Sequence, residues 1–405
     1  MGYTKNVITG ISWTWALKLS TRVISFLSII ILARILSPTQ FGVYGIAMLV
    51  MALLEVLTET GVNVLLIQEK GKIETYLDSA WIVSIIRGIL IAVSMLILAP
   101  FVSLFFHSPA SLSVLLLLAV VPLLRGFINP AEIKFQKELN FHKEFWYRLA
   151  IIAFGTCISI SLALITHSVN SLILGLISAV LLQVALSFIF IHPRPHFAID
   201  RKYFSGLLNN GKWITLSGIF NYLFHNFDNI VVGRLLGTGS LGLYEMAYNI
   251  SMLPITDVAD VISKVTFPVY TVISEDTKRL RKAFLKTLFF VSAISIPFGI
   301  VLIIFPSEII KIVLGQKWLG IVDVLRILVL FGVIRAISGS SSALFLSLKK
   351  QKYITVVTLV SIISLAITIV PLVMKYGIYG AGISALIGSL AALPFMLYFT
   401  VKVLR

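Results

Sequence analysis

The sequence predicts an all-α membrane protein of about twelve transmembrane helices, arranged as two six-helix lobes related by an internal repeat. Three observations carry that prediction. The 405 residues are 58% hydrophobic and only 12% charged, whereas a soluble domain carries roughly a quarter charged residues. The apolar residues come in blocks of about twenty or more, the length that crosses a hydrocarbon core about 30 Å thick. A motif near the first apolar block returns 200 positions later. A β-barrel would instead alternate apolar and polar residues over segments of about ten, and no such segments occur.

The blocks place spans near 11–33, 41–66, 77–105, 111–133, 144–166 and 169–191, then near 208–234, 240–270, 280–305, 321–347, 353–374 and 379–401. The first is too long for the apolar core of a signal peptide and has no cleavage site after it, so it is expected to remain as a helix. Basic residues alternate between the two sides. Lys5, Lys70, Lys72, Lys134, Lys137, Lys143, Arg194, Arg201, Lys202, Lys278, Arg279, Arg281, Lys282, Lys349, Lys350, Lys352, Lys402 and Arg405 fall on one side, 18 in all, against 5 on the other: Arg34, Arg234, Lys311, Lys317 and Lys375. Cytoplasmic connections are enriched in Lys and Arg, so both termini are expected in the cytoplasm. The same distribution accounts for the net charge of +16 without nucleic acid.

The repeat pairs ARILSPTQFGVY at 33–44 with GRLLGTGSLGLY at 233–244, so that Arg34/Arg234, Leu36/Leu236, Gly42/Gly242 and Tyr44/Tyr244 coincide. Trp13/Trp213 keep the same offset, and Pro100/Pro306 and Arg125/Arg335 follow with small insertions. An ordered series of this kind implies an N-terminal lobe over 1–191, a cytoplasmic linker over 192–206 and a C-terminal lobe over 207–405. Six helices repeated in one orientation imply an axis along the membrane normal. Repeats of this kind typify secondary transporters that bind substrate between lobes and alternate access.

Ionisable groups inside spans are costly and by default face a cavity or a partner. On the seventh span Asn221, His225 and Asp228 form one stripe at helical spacing, and the first span carries Thr21, Ser25 and Ser28 at the equivalent places, with Lys18 a turn earlier. Both stripes are expected to face a cavity; the alternative is hydrogen bonding between helices of one lobe. Glu55 and Glu59 on the second span, and Asp257 and Asp260 on the eighth, are candidates for holding a coupling proton or Na+. The alternative is an internal salt bridge, with Lys264 near Asp260 and with Arg22, Arg87 or Arg125 in reach of Glu55 or Glu59. Lys18, Arg22, Arg87, Arg125 and Arg335 are candidate substrate contacts, because guanidinium groups suit phosphate oxygens. Arg34 and Arg234 end their helices and are expected to complement the helix C-terminus or reach head groups.

Nothing in the pattern reads as an enzyme, a metal centre or a cofactor site. His107, His142, His167, His192 and His196 sit in connections or at span ends without ligand spacing, and the single Cys157 lies inside an apolar block, where it faces lipid or packs. No connection is long enough for a catalytic domain. SxxxG at Ser384–Gly388 and GIYGAG at 377–382 are close-packing patterns of membrane helices.

Four stretches resemble a known family. ARILSPTQFGVYGIAM at 33–48, FQKELNFHKEF at 135–145, NYLFHNFDNIVVGRLLGTGSLGLYEMAYNISMLP at 221–254 and VTFPVYTVISEDTKRLRKAFLK at 265–286 are similar to the Wzx-like oligosaccharide flippases, in the branch of WzxC and TuaB. That resemblance implies the fold of the multidrug/oligosaccharidyl-lipid/polysaccharide exporter superfamily. It also implies a polyprenyl-pyrophosphate-linked oligosaccharide as cargo and Asp228, in HNFDN, as a functional position. Polysaccharide polymerase machinery is the protein partner it suggests. Many such relatives have about fourteen helices, two more than the spans found here. A multidrug exporter of the same superfamily is the rival reading, but its cavity should be dominated by acids, whereas this one mixes them with Arg and Lys. A major-facilitator transporter would carry a Gly-Asp-Arg signature where this chain has QEKGKIETYLDSA at 68–80.

Overall fold

The computed structural model describes residues 2–59, 74–198 and 201–405. Among these, the regular structure is helical throughout. We number the helices α1 (Gly2–Ile35), α2 (Pro38–Leu57), α3 (Glu74–Phe105), α4 (Pro109–Leu118), α5 (Val120–Gly126), α6 (Phe141–Thr166), α7 (Asn170–Phe190), α8 (Arg201–Val272), α9 (Thr277–Ile304), α10 (Pro306–Val313), α11 (Val322–Ser347), α12 (Gln351–Tyr376) and α13 (Ile378–Leu404). Each of the twelve expected spans overlaps a helical segment; the end of the second, 60–66, lies outside the described residues, and the fourth stops at Gly126, short of the expected 133. The seventh and eighth are the two halves of α8, which leaves helical geometry at Gly237, φ +80°. Only glycine adopts that conformation without strain.

Among the described residues, nine helices are long and apolar enough to cross a membrane by length and composition. α8 and α11 are not among them.

The chain packs as two compact units, 1–225 and 226–405. The division falls inside α8, whereas the repeat marks the change of lobe near the 192–206 linker; contact and sequence pattern measure different things. Tyr222 explains the difference locally, since its hydroxyl donates to the Leu49 carbonyl of α2 at 2.8 Å.

In the first unit, α2 opens with a capping box: Gln40 N–H donates to Ser37 Oγ, and Ser37 N–H donates to Gln40 Oε1, with Pro38 at the first helical position. These contacts satisfy donors that the helix itself leaves unmet. The Gln40 amide also donates to the His167 carbonyl at 2.8 Å, which ties α2 to the end of α6. The core joins Val43, Ala47 and Met51 of α2 to Ile91 and Met95 of α3, Leu115 of α4 and Ile173 of α7. α6 and α7 approach so closely that a Cβ on Gly175 would stand 1.7 Å from Ser159 Oγ.

In the second unit α12 and α13 meet through the small residues expected to pack closely. A Cβ on Gly380 would stand 2.0 Å from the Leu372 carbonyl oxygen. The connection after α9 folds into α10 and a 3-10 turn at Gln316–Ile321 that buries Trp318. Large apolar side chains such as Phe101, Leu104, Ile165 and Phe289 stand exposed on the outer faces of their helices, as lipid-facing residues do. Cys157 is also exposed.

Candidate functional site

In each unit several of the expected ionisable side chains come together. In the first, α2 presents Glu55 and Glu59 one turn apart, because residues at i and i+4 share a helix face. Arg87 of α3 donates from Nη2 to Glu59 Oε2 at 2.9 Å and to the Glu55 carbonyl at 2.7 Å, and from Nε to Thr58 Oγ1 at 3.2 Å. Arg125 of α5 pairs with the Glu55 carboxylate. The salt-bridge alternative for these acids is therefore the arrangement present. Neither pair is fully enclosed: the side chains are 27% and 39% exposed in one, 40% and 34% in the other.

Beside them opens a cavity of about 300 Å³ whose wall includes Glu55, Arg87, Arg125, Glu132 and Arg148. Glu132 lies in a 3-10 turn, Pro130–Ile133, between α5 and α6. The turn is held by the buried Asn129. Its Oδ1 accepts from Ala131 N–H, and its Nδ2 donates to the Pro193 carbonyl at 3.1 Å. Glu132 Oε2 accepts from Tyr147 OH at 3.2 Å and from Gln183 Nε2 at 3.3 Å. Arg148 Nε donates to Glu144 Oε1 at 2.8 Å, and Gln136 Nε2 donates to the same oxygen at 3.2 Å. Burial pushes the Glu132 carboxyl above the usual carboxylate range, and the nearby Arg148 and the two hydrogen bonds offset only part of that.

In the second unit, Asp228 is buried. Its Oδ2 accepts from Tyr244 OH at 2.8 Å, and its Oδ1 accepts from Asn229 N–H at 2.9 Å. The break at Gly237 makes this possible, because it folds the second half of α8 back so that Tyr244 meets a residue 16 positions earlier. One turn on, Tyr248 OH accepts from Arg335 Nη1 of α11 at 2.9 Å, and the guanidinium lies 5.8 Å from the Phe331 ring centroid. These two residues line a mostly apolar cavity of about 810 Å³, together with Met252, Phe267 and Met396. The repeat-related Arg125 and Arg335 thus both reach from a later helix to the segment that follows the repeated motif. One meets a carboxylate and the other a phenol.

The other expected positions distribute less neatly. Lys18 is half-buried and Arg22 exposed on α1; Asn221 and His225 are exposed on α8, so that of their stripe only Asp228 is enclosed. Arg34 stands exposed in the last turn of α1. Asp257, Asp260 and Lys264 fall outside the residues whose side chains are described. Among the described residues no three His, Cys, Asp or Glu side chains come together as a metal site. Glu132, Glu144, Tyr147, Arg148 and Gln183 were not expected. Their nearest signal is the 135–145 motif, which supplies Gln136 and Glu144.

The sequence profile of the family described as "Polysaccharide biosynthesis protein" matches residues 31–323. The chain is 26% identical to the lipopolysaccharide biosynthesis protein WzxC of Escherichia coli, over 86% of this chain and 71% of that protein. It is 24% identical to the teichuronic acid biosynthesis protein TuaB of Bacillus subtilis, over 85% of this chain and 72% of that one. Among solved structures the fold resembles the lipid II flippase MurJ in an inward closed conformation, with a TM-score of 0.77, 17% identity and coverage of 97% of this chain and 87% of that chain. The twelve helical segments, the repeated motif and the profile match lead to one assignment: the chain is a multi-pass membrane protein that belongs to the polysaccharide biosynthesis protein family, and its fold is that of the flippase and exporter structures it resembles.

Proposed function

We propose that the protein is a flippase that moves polyprenyl-pyrophosphate-linked oligosaccharide repeat units across the cytoplasmic membrane by alternating access, for assembly of a cell-surface polysaccharide. The observation that carries this reading is the family match over 31–323, with relatives named for lipopolysaccharide and teichuronic acid synthesis. The chemistry of the two units supports it. Arg125 and Arg335 each stand in a cavity wall, and guanidinium groups suit bidentate contact with phosphate oxygens. The cargo's anionic centre would be exchanged onto these residues, with Arg87, Lys18 and Arg22 as further contacts and Asp228 holding the Tyr244 side of its unit in place. A chain of this kind carries its cargo through without covalent chemistry, so transport rather than catalysis is its role. The excess of basic residues on one set of connections, 18 against 5, supports cytoplasmic termini and cytoplasmic placement of the linker at 192–206. Coupling to a proton or Na+ at Glu55/Glu59 or Asp257/Asp260 would reset the cycle, and downstream polymerase machinery would consume the product.

Liposomes containing the purified protein and a radiolabelled polyprenyl-pyrophosphate oligosaccharide test the proposal, with accessibility of the sugar to an external enzyme as the readout. Protein-dependent exposure that drops at least tenfold in an Arg125→Ala/Arg335→Ala double variant is the expected result. No exposure with several sugar repeats, together with export of a cationic dye, would replace the flippase by the multidrug exporter.

A further inference from the structure

We propose that Glu132 is a proton-binding site in the first unit, a carboxyl whose protonation decides whether Arg148 stays with Glu144 or turns to Glu132. The charges around the cavity do not balance. α2 brings Glu55 and Glu59, α3 brings Arg87, α5 brings Arg125, α6 brings Glu144 and Arg148, and the 3-10 turn brings Glu132. Three ion pairs use up the three arginines: Arg87 with Glu59, Arg125 with Glu55 and Arg148 with Glu144. Glu132 is the carboxyl left over. Its hydrogen bonds come from neutral groups, the Tyr147 hydroxyl and the Gln183 amide, and both converge on Oε2. Asp78 of α3 accepts from the His196 backbone N–H at 2.7 Å, and Glu138 accepts from the Asn140 amide at 3.1 Å. Lys134 and Lys137 follow Glu132 on its own strand of chain.

A carboxylate drawn out of water with only neutral donors is costly, and the cheapest relief is a proton. Because both donors meet Oε2, the proton belongs on Oε1. The upward push that burial exerts on this carboxyl agrees with the charge count. When the proton leaves, the new anion attracts the nearest uncommitted part of a cation, the Arg148 guanidinium, one helical turn from Glu144 and lining the same cavity. Exchange of Arg148 between the two acids moves the start of α6 against the 3-10 turn. The turn lies between the apolar helical segments Pro109–Gly126 and Phe141–Thr166. Glu55 and Glu59, already paired, are less suited to this role than Glu132.

The proton site stands whatever the cargo is; only its coupling to transport rests on the flippase reading. The test uses the full-length protein in lipid nanodiscs and pH-difference infrared spectroscopy. At neutral pH ordinary carboxyls are ionised, so a protonated-carboxyl band there marks a shifted group. We expect a component of that band to vanish in Glu132→Gln and to persist in Glu55→Gln and Glu59→Gln. Tyr147→Phe removes a donor that favours the carboxylate, so the component should then titrate at higher pH than in the parent. If Glu132→Gln does not fold, Tyr147→Phe decides alone. Identical spectra for Glu132→Gln and parent, or an unmoved midpoint in Tyr147→Phe, would overturn the site. With flipping established, Glu132→Gln should also flatten the dependence of its rate on pH. Absence of flipping altogether would leave the infrared result untouched and strike only the cargo assignment.

Discussion

Asp228 keeps its carboxylate buried by accepting from the Tyr244 hydroxyl and a backbone N–H. Tyr244→Phe leaves one oxygen without its donor, and the variant should lose about 1–2 kcal/mol in thermal or denaturant unfolding in detergent. The Arg125–Glu55 pair makes a contrasting case. Both side chains retain about a third of their exposure, so water and salt screen them. A double-mutant cycle with Arg125→Gln and Glu55→Gln should return a coupling of no more than about 1 kcal/mol, falling as salt is added. A coupling of several kcal/mol, insensitive to salt, would show that the cavity is closed to water. Of the residue positions, Glu55, Glu59, Arg87, Arg125, Asp228 and Arg335 were legible as candidates, because an ionisable group in an apolar block stands out. For Glu55 and Glu59 the sequence offered Arg87 and Arg125 among the possible partners without choosing; the uncharged partners, and Glu132 itself, were not legible. Tyr147, Gln183 and Tyr248 are ordinary residues in a membrane helix until the fold sets them beside a charge.

At the scale of the helices, glycine separates the contacts that tolerate a methyl group from those that do not. A Cβ on Gly380 meets the Leu372 carbonyl at 2.0 Å, whereas one on Gly339 of α11 meets nothing within 4 Å. Gly380→Ala should therefore destabilise by about 1–3 kcal/mol through overpacking. Gly339→Ala should be neutral or stabilising by up to about 1 kcal/mol through helix propensity. Melting temperatures of the two variants in one detergent check the pair. If both melt alike, α12 and α13 are not packed as described. The GIYGAG and SxxxG patterns announced this contact in the sequence, since small residues at that spacing have few other uses in a membrane helix. The break in α8 was announced only as a gap between two spans. That Gly237 supplies it in an extended conformation with positive φ depends on how the halves fold back.

For the whole molecule, the basic connections predict a sidedness that labelling can read. In a Cys157→Ser background, Lys282→Cys at the start of α9 should react with a membrane-impermeant maleimide from the cytoplasmic side only. Lys311→Cys on α10 should react from the opposite side only. Both positions are exposed. Reaction of both from one side would invert or abolish the charge-based orientation.

The sequence by itself determined that this chain is an α-helical membrane protein with repeated halves, roughly where each helix runs, and which charged residues sit at risk in the bilayer. Hydrophobic length and charge bias act along the chain, so they are written in it locally. Only the tertiary structure decided which charges neutralise one another. Glu59 faces Arg87 across 28 positions and Glu55 faces Arg125 across 70, while Glu132, in a 3-10 turn where the sequence had run a span on to 133, is left with neutral donors. Pairing depends on distances between helices far apart in sequence, and no local pattern encodes those.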